Sequence, residues 1–242
     1  MPEGPFPTTR FSAIAGIRQT DPVVRTRSLD TLITAYWKPV YKYIRVKWGK
    51  SNEDASDLTQ AFFTRALEKD FFEAFDPVKG RFRTFLRTCL DGFLANEHKS
   101  GGRLKRGGDR IHLPLEFETA EGEILAAEIP SGEDLDKYFD DEWVRHLFAL
   151  TIDTLRQECV ARGRQSQFEV FERYDLQDEG AERLTYQKLG AQMGLTATTV
   201  TNHLAAARRE FRRILLDKLK EITATDEEFR REARYLLGHD PS

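Results

Sequence analysis

The sequence predicts an all-α protein: two helical domains joined by an acidic linker, with a helix-turn-helix in the second. Three observations carry the expectation. Apolar residues recur at steps of three and four through both halves of the chain. A strongly acidic stretch rich in proline and glycine separates those halves. Late in the sequence, the short turn Gly194-Leu195 interrupts two apolar-periodic segments, the spacing expected of paired helices.

From the N-terminus, the first long helix is expected over residues 29–46. Leu32, Ile33, Tyr36, Val40, Tyr43 and Ile44 form its inner stripe, and Pro39 is a site of bending. Asn52 or Asp54 is expected to cap the next helix, which turns Leu58, Phe62, Ala66 and Leu67 inward and Asp57, Gln60, Thr64 and Glu68 outward. Phe75-Asp76-Pro77-Val78-Lys79-Gly80 has the composition of a turn. Beyond it Phe82, Phe85, Leu86, Cys89, Leu90, Phe93 and Leu94 restore a helical stripe, which the SGGRLKRGG run brings to an end. Pro114, Gly122, Pro130 and Gly132 then mark a linker holding short elements at most.

A helix from Asp141 should bury Trp143, Leu147, Leu150, Ile152 and Leu155. A shorter one follows, carrying Phe168, Phe171 and Tyr174. Tyr186, Leu189 and Met193 edge the helix before the glycine turn, and Thr196 caps its successor, whose stripe is Val200, Leu204, Ala207, Phe211 and Leu215. Thr225 begins a last helix, given an apolar side by Phe229, Ala233, Leu236 and Leu237. The expected division is an N-terminal extension (1–25), a first helical domain (26–105), an acidic linker (106–140), a second helical domain (141–220) and a C-terminal helical extension (221–242).

Hydrophobic content of 40% beside 32% charged residues is that of a water-soluble chain, and no apolar run reaches the roughly 18 residues that span a bilayer. The opening MPEGPFPTTR lacks a basic start followed by an apolar stretch, so a cytoplasmic protein with no membrane role is expected. Cys89 and Cys159 sit within apolar helical patterns and read as reduced, packed thiols. The net charge of −3 conceals strong segregation: residues 81–110 carry +5, residues 112–142 carry −10 and residues 201–220 carry +4. Two basic blocks around an acidic one can present two footprints to a polyanion; each run also fits an ordinary solvated surface.

Catalytic chemistry finds little support. His98, His112, His146, His203 and His239 make no compact metal-ligand spacing with the cysteines. Asp140, Asp141 and Glu142 resemble a helix start more than a catalytic carboxylate pair, and Gly101-Gly102 and Gly107-Gly108 lack the spacing of a phosphate-binding loop. The expectation is a protein that is not an enzyme, with no cofactor and no metal.

Three segments together resemble the extracytoplasmic-function branch of the bacterial sigma-70 family. DASDLTQAFFTRALEKDFF is similar to that family's region 2, FDPVKGRFRTFL to the loop and helix that meet melted promoter DNA, and TYQKLGAQMGLTATTVTNHLAAARREF to region 4. FLANE followed by KRGG further resembles a subgroup often encoded near serine/threonine kinases. Phe85, where relatives often have tryptophan, and Asp91, where many are basic, depart from the pattern.

The resemblance implies a sigma factor that binds core RNA polymerase, recognises promoter DNA and supports strand opening; an anti-sigma or kinase-linked regulator is a further partner it suggests. Polymerase contacts fall on Asp57, Leu58, Gln60 and Thr64, with Leu58 supporting the helix. Melted promoter DNA falls to Phe75, Lys79 and Arg81 at a base pocket, to Arg83 and Arg87 on phosphates, and to Asn96 toward the duplex. The upstream element falls to Thr198, Thr201, Asn202 and His203, with Arg208, Arg209 and Arg212 anchoring phosphates. The alternatives are a DNA-binding regulator that does not join polymerase and a helical adaptor for proteins. The acidic linker is left with three roles: a tether, a local mimic of nucleic acid, or a segment threaded toward the RNA exit. The C-terminal helix either covers region 4 or binds a regulator.

Overall fold

Helix starts are chemically marked along the chain. Ser12 caps α1 (Ala13–Ile17) by accepting the Ala15 N–H, and Asp21 caps α2 (Pro22–Lys47) by accepting the Val23 N–H, with Pro22 at the first helical position. The computed structural model describes residues 12–68, 71–99, 115–126, 135–177 and 184–238, and every regular element among them is a helix. The remaining elements are α3 (Asn52–Glu68), a single 3₁₀ turn at Phe71–Ala74, α4 (Phe82–Lys99), α5 (Phe117–Ala126), α6 (Leu135–Ala161), α7 (Gln165–Phe171) running into a π turn at Glu172–Leu176, α8 (Tyr186–Met193), α9 (Ala197–Glu221) and α10 (Asp226–Leu237). The SGGRLKRGG run, His112, the prolines at 114 and 130, Gly132 and His239 lie outside the described residues.

The chain divides into two compact units, and the division is not the one read from composition. The first unit comprises residues 1–146 and 219–242; the second comprises residues 147–218. The first half of α6 therefore belongs with the N-terminal unit, as does α10. The expected N-terminal extension also shrinks, because α1 and the start of α2 lie within it.

The first unit is built on α2, whose buried residues run from Ser28 to Ile44 straight through Pro39. Phe139 meets Tyr43 edge-on at 5.4 Å and Trp143 stacks on Tyr36 at 6.4 Å, so α6 starts six residues before Asp141 in order to bury them. Lys42 and Glu142 form a buried ion pair at 2.6 Å.

Part of the acidic linker is a docked helix. Phe117 of α5 packs on Trp37 and Tyr41 at 5.5 and 5.2 Å, and Ala120 and Ile124 are buried. Glu121 binds Arg45 and accepts the Tyr41 hydroxyl, while Glu123 reaches Lys38 and Lys42 at 2.6 and 2.7 Å. The hydrogen bond from Arg45 holds the Glu121 carboxyl below its ordinary pKa. Burial pushes Glu123 up, but hydrogen bonds from Lys38 and Lys42 outweigh it and keep it low.

The second unit has two adjoining apolar groups. Leu155, Cys159, Phe168, Phe171, Ala207 and Ile214 form one; Val170, Leu189, Val200 and Leu204 form the other.

Candidate nucleic-acid and polymerase faces

Ser51, rather than Asn52 or Asp54, starts α3: its hydroxyl accepts the Asp54 N–H at 3.1 Å. Asn52 instead lies 2.7 Å from the Tyr41 hydroxyl, whose proton it shares with Glu121. Along the helix Asp57 is exposed, Gln60 is half-buried and Leu58 is buried. Thr64 departs from its expected outward position: it is 9% exposed, although it follows Asp57 and Gln60 at helical spacing. The polar face open to a partner thus contains Asp57 and Gln60 but not Thr64.

The turn over residues 75–80 is more deeply packed than its composition suggested. Asp76 shapes it as a side-chain turn, accepting the Val78 N–H at 3.0 Å, while the Lys79 N–H reaches the Asp76 carbonyl at 3.0 Å. Phe75, expected at a pocket rim, is only 3% exposed. Its ring lies 5.2 Å from Phe82 and 5.4 Å from Phe85, and Phe72 and Tyr36 complete the aromatic cluster around Phe82 at 5.6 Å each. The apolar stripe of α4 captures Phe75 because a lone exposed phenylalanine would forfeit about 2–3 kcal/mol of burial.

Arg83 is a second correction. Its side chain is 1% exposed, sandwiched between the rings of Trp143 and Tyr235 at 4.8 and 4.3 Å, with carboxylates of Glu232 and Asp140 at 3.3 and 3.5 Å from Nε. It cannot reach a phosphate in this arrangement. Burial raises the carboxyls of both Glu232 and Asp140, against the opposing pull of Arg83. Arg81 keeps 28% of its side chain exposed, 3.6 Å from Glu232, and Arg87 pairs with Asp136 at 2.9 Å. Lys79 is exposed, as is Asn96 on the edge of a hollow of about 160 Å³ that it shares with Arg65, Phe71, Cys89, Gly92 and Phe93. Asp91 is spent internally on Tyr43 and Lys47.

The tail residues that meet this face, Glu228, Glu232 and Tyr235, were not singled out from the sequence. They belong to α10, which falls within the first unit. The available signal was weak: two acids four residues apart in a helix, with an Arg-x-Arg pair far upstream.

In the second unit Thr185 caps α8, accepting the Lys188 N–H at 3.2 Å. Gly194 ends the helix at φ 68°, a left-handed conformation that glycine adopts without strain. The Leu195 N–H then closes onto the Gly190 carbonyl at 2.8 Å. A Cβ at Gly190 would stand 2.6 Å from the Leu195 carbonyl oxygen, so the turn requires glycine there as well. Thr196 accepts the Thr199 N–H at 3.1 Å and starts α9.

On α9, Thr198, Thr201, Asn202, Ala205, Arg208 and Arg209 are exposed, and His203 and Arg212 are half-buried. Val200, Leu204 and Ala207 hold the opposite face in the core. Arg208 is already held by two hydrogen bonds to Asp175, at 2.8 and 2.7 Å, which raise its pKa; its guanidinium lies 5.8 Å from the Tyr174 ring centre. Arg209, beside it, is likewise exposed. Among the described residues no three metal-ligating side chains gather, and no described helix is long and apolar enough to cross a membrane. Comparison with family models, with curated proteins and with solved structures finds no match to this chain.

Proposed function

We propose that the chain is a sigma-like specificity subunit of the extracytoplasmic-function type, which joins core RNA polymerase, reads promoter DNA and supports strand opening. The observation that carries this reading is the pair α8 and α9 on a glycine turn, with Thr198, Thr201, Asn202, Ala205 and Arg209 forming one exposed stripe of small, polar and basic residues. Such a pair is a helix-turn-helix: α9 enters the major groove, Asn202 offers the two-pronged amide that suits adenine, and Arg209 takes a phosphate. The exposed Asp57 and half-buried Gln60 supply the polymerase contact on α3. Lys79, Arg81 and Asn96 then receive the melted strand, the cost of unpairing being offset by base and backbone contacts. Bond-making chemistry belongs to the polymerase.

A DNA-binding regulator that does not join polymerase is the second reading. The burial of Phe75 and Arg83 favours it, since that half of a strand-opening face is not on display. Reconstitution with the cognate core polymerase, followed by transcript mapping on genomic DNA, separates the two. The expected result is specific initiation that Asp57→Ala and Gln60→Ala weaken through core affinity, with thermal stability unchanged. Folded protein that binds DNA yet neither binds core nor directs transcripts would leave only the second reading.

A further inference from the structure

Helix α10 buries Glu228 and Glu232, while Asp226 and Glu227 at its start stay exposed. Glu228 and Glu232 are each 2% exposed, whereas Arg230 and Arg234 on the other side are open. Two carboxylates four residues apart stand about 6 Å apart along a helix axis, and both land on the start of α4. Glu228 accepts the Phe82 N–H at 2.6 Å, at the first helical residue, where unfilled N–H groups and the helix dipole favour an anion. Glu232 lies 3.6 Å from Arg81 and 3.3 Å from Arg83, and the Tyr235 ring closes over both guanidinium groups.

Two further facts separate this contact from an ordinary structural cover. None of the three guanidinium nitrogens of Arg83 makes a hydrogen bond among the described residues, although its side chain is 1% exposed. Its charge is balanced, but its donors are desolvated and unused, an arrangement that a better-placed anionic oxygen would relieve. The buried residues of α10, moreover, are Glu228, Glu232 and Ala233, so its fully buried face is mainly ionic. An apolar cover exchanges for nothing in water, whereas a carboxylate contact exchanges directly for another anion.

We propose that the N-terminus of α4, with Arg81 and Arg83, is a binding site for the phosphate backbone of a single nucleic-acid strand, and that α10 is an internal ligand which that strand displaces. The choice of a single strand rests on the promoter-opening reading; the site itself rests on the contacts above. In the free chain α10 holds the site closed, and strand capture releases the helix.

The test uses the full-length chain without polymerase and a fluorescein-labelled oligothymidylate as probe. By anisotropy, Glu228→Gln with Glu232→Gln should bind the probe about ten-fold more tightly than the unmodified chain. Adding Arg81→Gln should remove the gain, and Tyr235→Ala, which leaves both carboxylates in place, should give a smaller one. In the unmodified chain, saturating probe should speed hydrogen exchange of amides 226–237. Equal or weaker probe binding by the folded double variant, or α10 amides that stay as protected with probe bound as without it, would overturn the proposal; so would a chain that binds no probe in any form. If the double variant does not fold, the exchange experiment decides alone. A chain that shows both effects yet directs no initiation would overturn the promoter reading and leave this site standing. Initiation with α10 still protected in the open complex would do the reverse.

Discussion

Acidification should destabilise the first unit through His146. The imidazole is 5% exposed, with Nε2 2.7 Å from the Thr34 carbonyl and its ring 5.9 Å from Trp37. A carbonyl only accepts, so Nε2 carries the proton of a neutral ring. Burial lowers the pKa from 6.5 to about 4; the Thr34 hydrogen bond and Glu123 oppose the shift, while Lys38 and Lys42 add to it. Between those values the unfolded chain binds a proton that the folded chain refuses, so stability is unaffected above about pH 6.5 and falls as pH drops toward the folded value. The loss amounts to about 2 kcal/mol between pH 7 and 5, and roughly 3 kcal/mol once pH is below 4. Asp140 and Glu232, both raised, push in the opposite direction, so the comparison must be made against a variant that retains them. His146→Phe preserves the ring and cannot titrate. Trp37, Trp48 and Trp143 all belong to the first unit, so tryptophan fluorescence in urea follows its unfolding alone. The variant should lose about 2 kcal/mol less than the unmodified chain between pH 7 and 5. Equal losses, or a His146 proton resonance titrating near 6.5, would refute the reasoning.

Other substitutions separate packing from recognition. Phe75→Ala should cost about 3–5 kcal/mol of stability in urea, as expected of an emptied aromatic core position; unchanged stability with impaired strand opening would return Phe75 to the DNA. Gly190→Ala forces a Cβ against backbone, so thermal melting should report a loss of about 1–3 kcal/mol, with weaker duplex binding through a displaced α9. Asn202→Ala should shrink the difference between matched and mismatched promoter DNA by about 1–3 kcal/mol, whereas Arg209→Ala should weaken both alike and flatten the salt dependence, both read by competition binding.

Periodicity and capping made much of the fold legible. Thr196 and Thr225 each start the helix expected of them, because a cap is a local event between residues three apart. Position on a rim or in a core is not local. Phe75 sits in a stretch whose composition says turn, and it is buried by Phe82 and Phe85, which no turn signal reveals. Gly122 suggested a linker, yet α5 persists through it because Glu121 and Glu123 on either side are held by α2. Glu228 lies in a first helical turn, where an acid favours the helix dipole and marks a helix start without telling which way it faces. Its burial depends on Phe82, far away in sequence. On α9 the exposure of Thr198, Thr201, Asn202 and Arg209 was readable, since the core residues opposite them share one helix, whereas His203 and Arg212, expected on the same face, are half-buried.

The first unit is discontinuous, and that bears on how the molecule is made. Phe82 and Glu228 are 146 positions apart, with the entire second unit between them. At ribosomal speeds of about 5–20 residues per second, α4 emerges on the order of ten seconds before the helix that closes over it. During synthesis the second unit can fold from contiguous sequence, while the first waits for its final segment with Arg81, Arg83 and the start of α4 uncovered. Completion of the N-terminal fold is therefore a late step with a long-range closure, the kind that slows folding. A ribosome that stops early would release a chain with a finished second unit and an open first one.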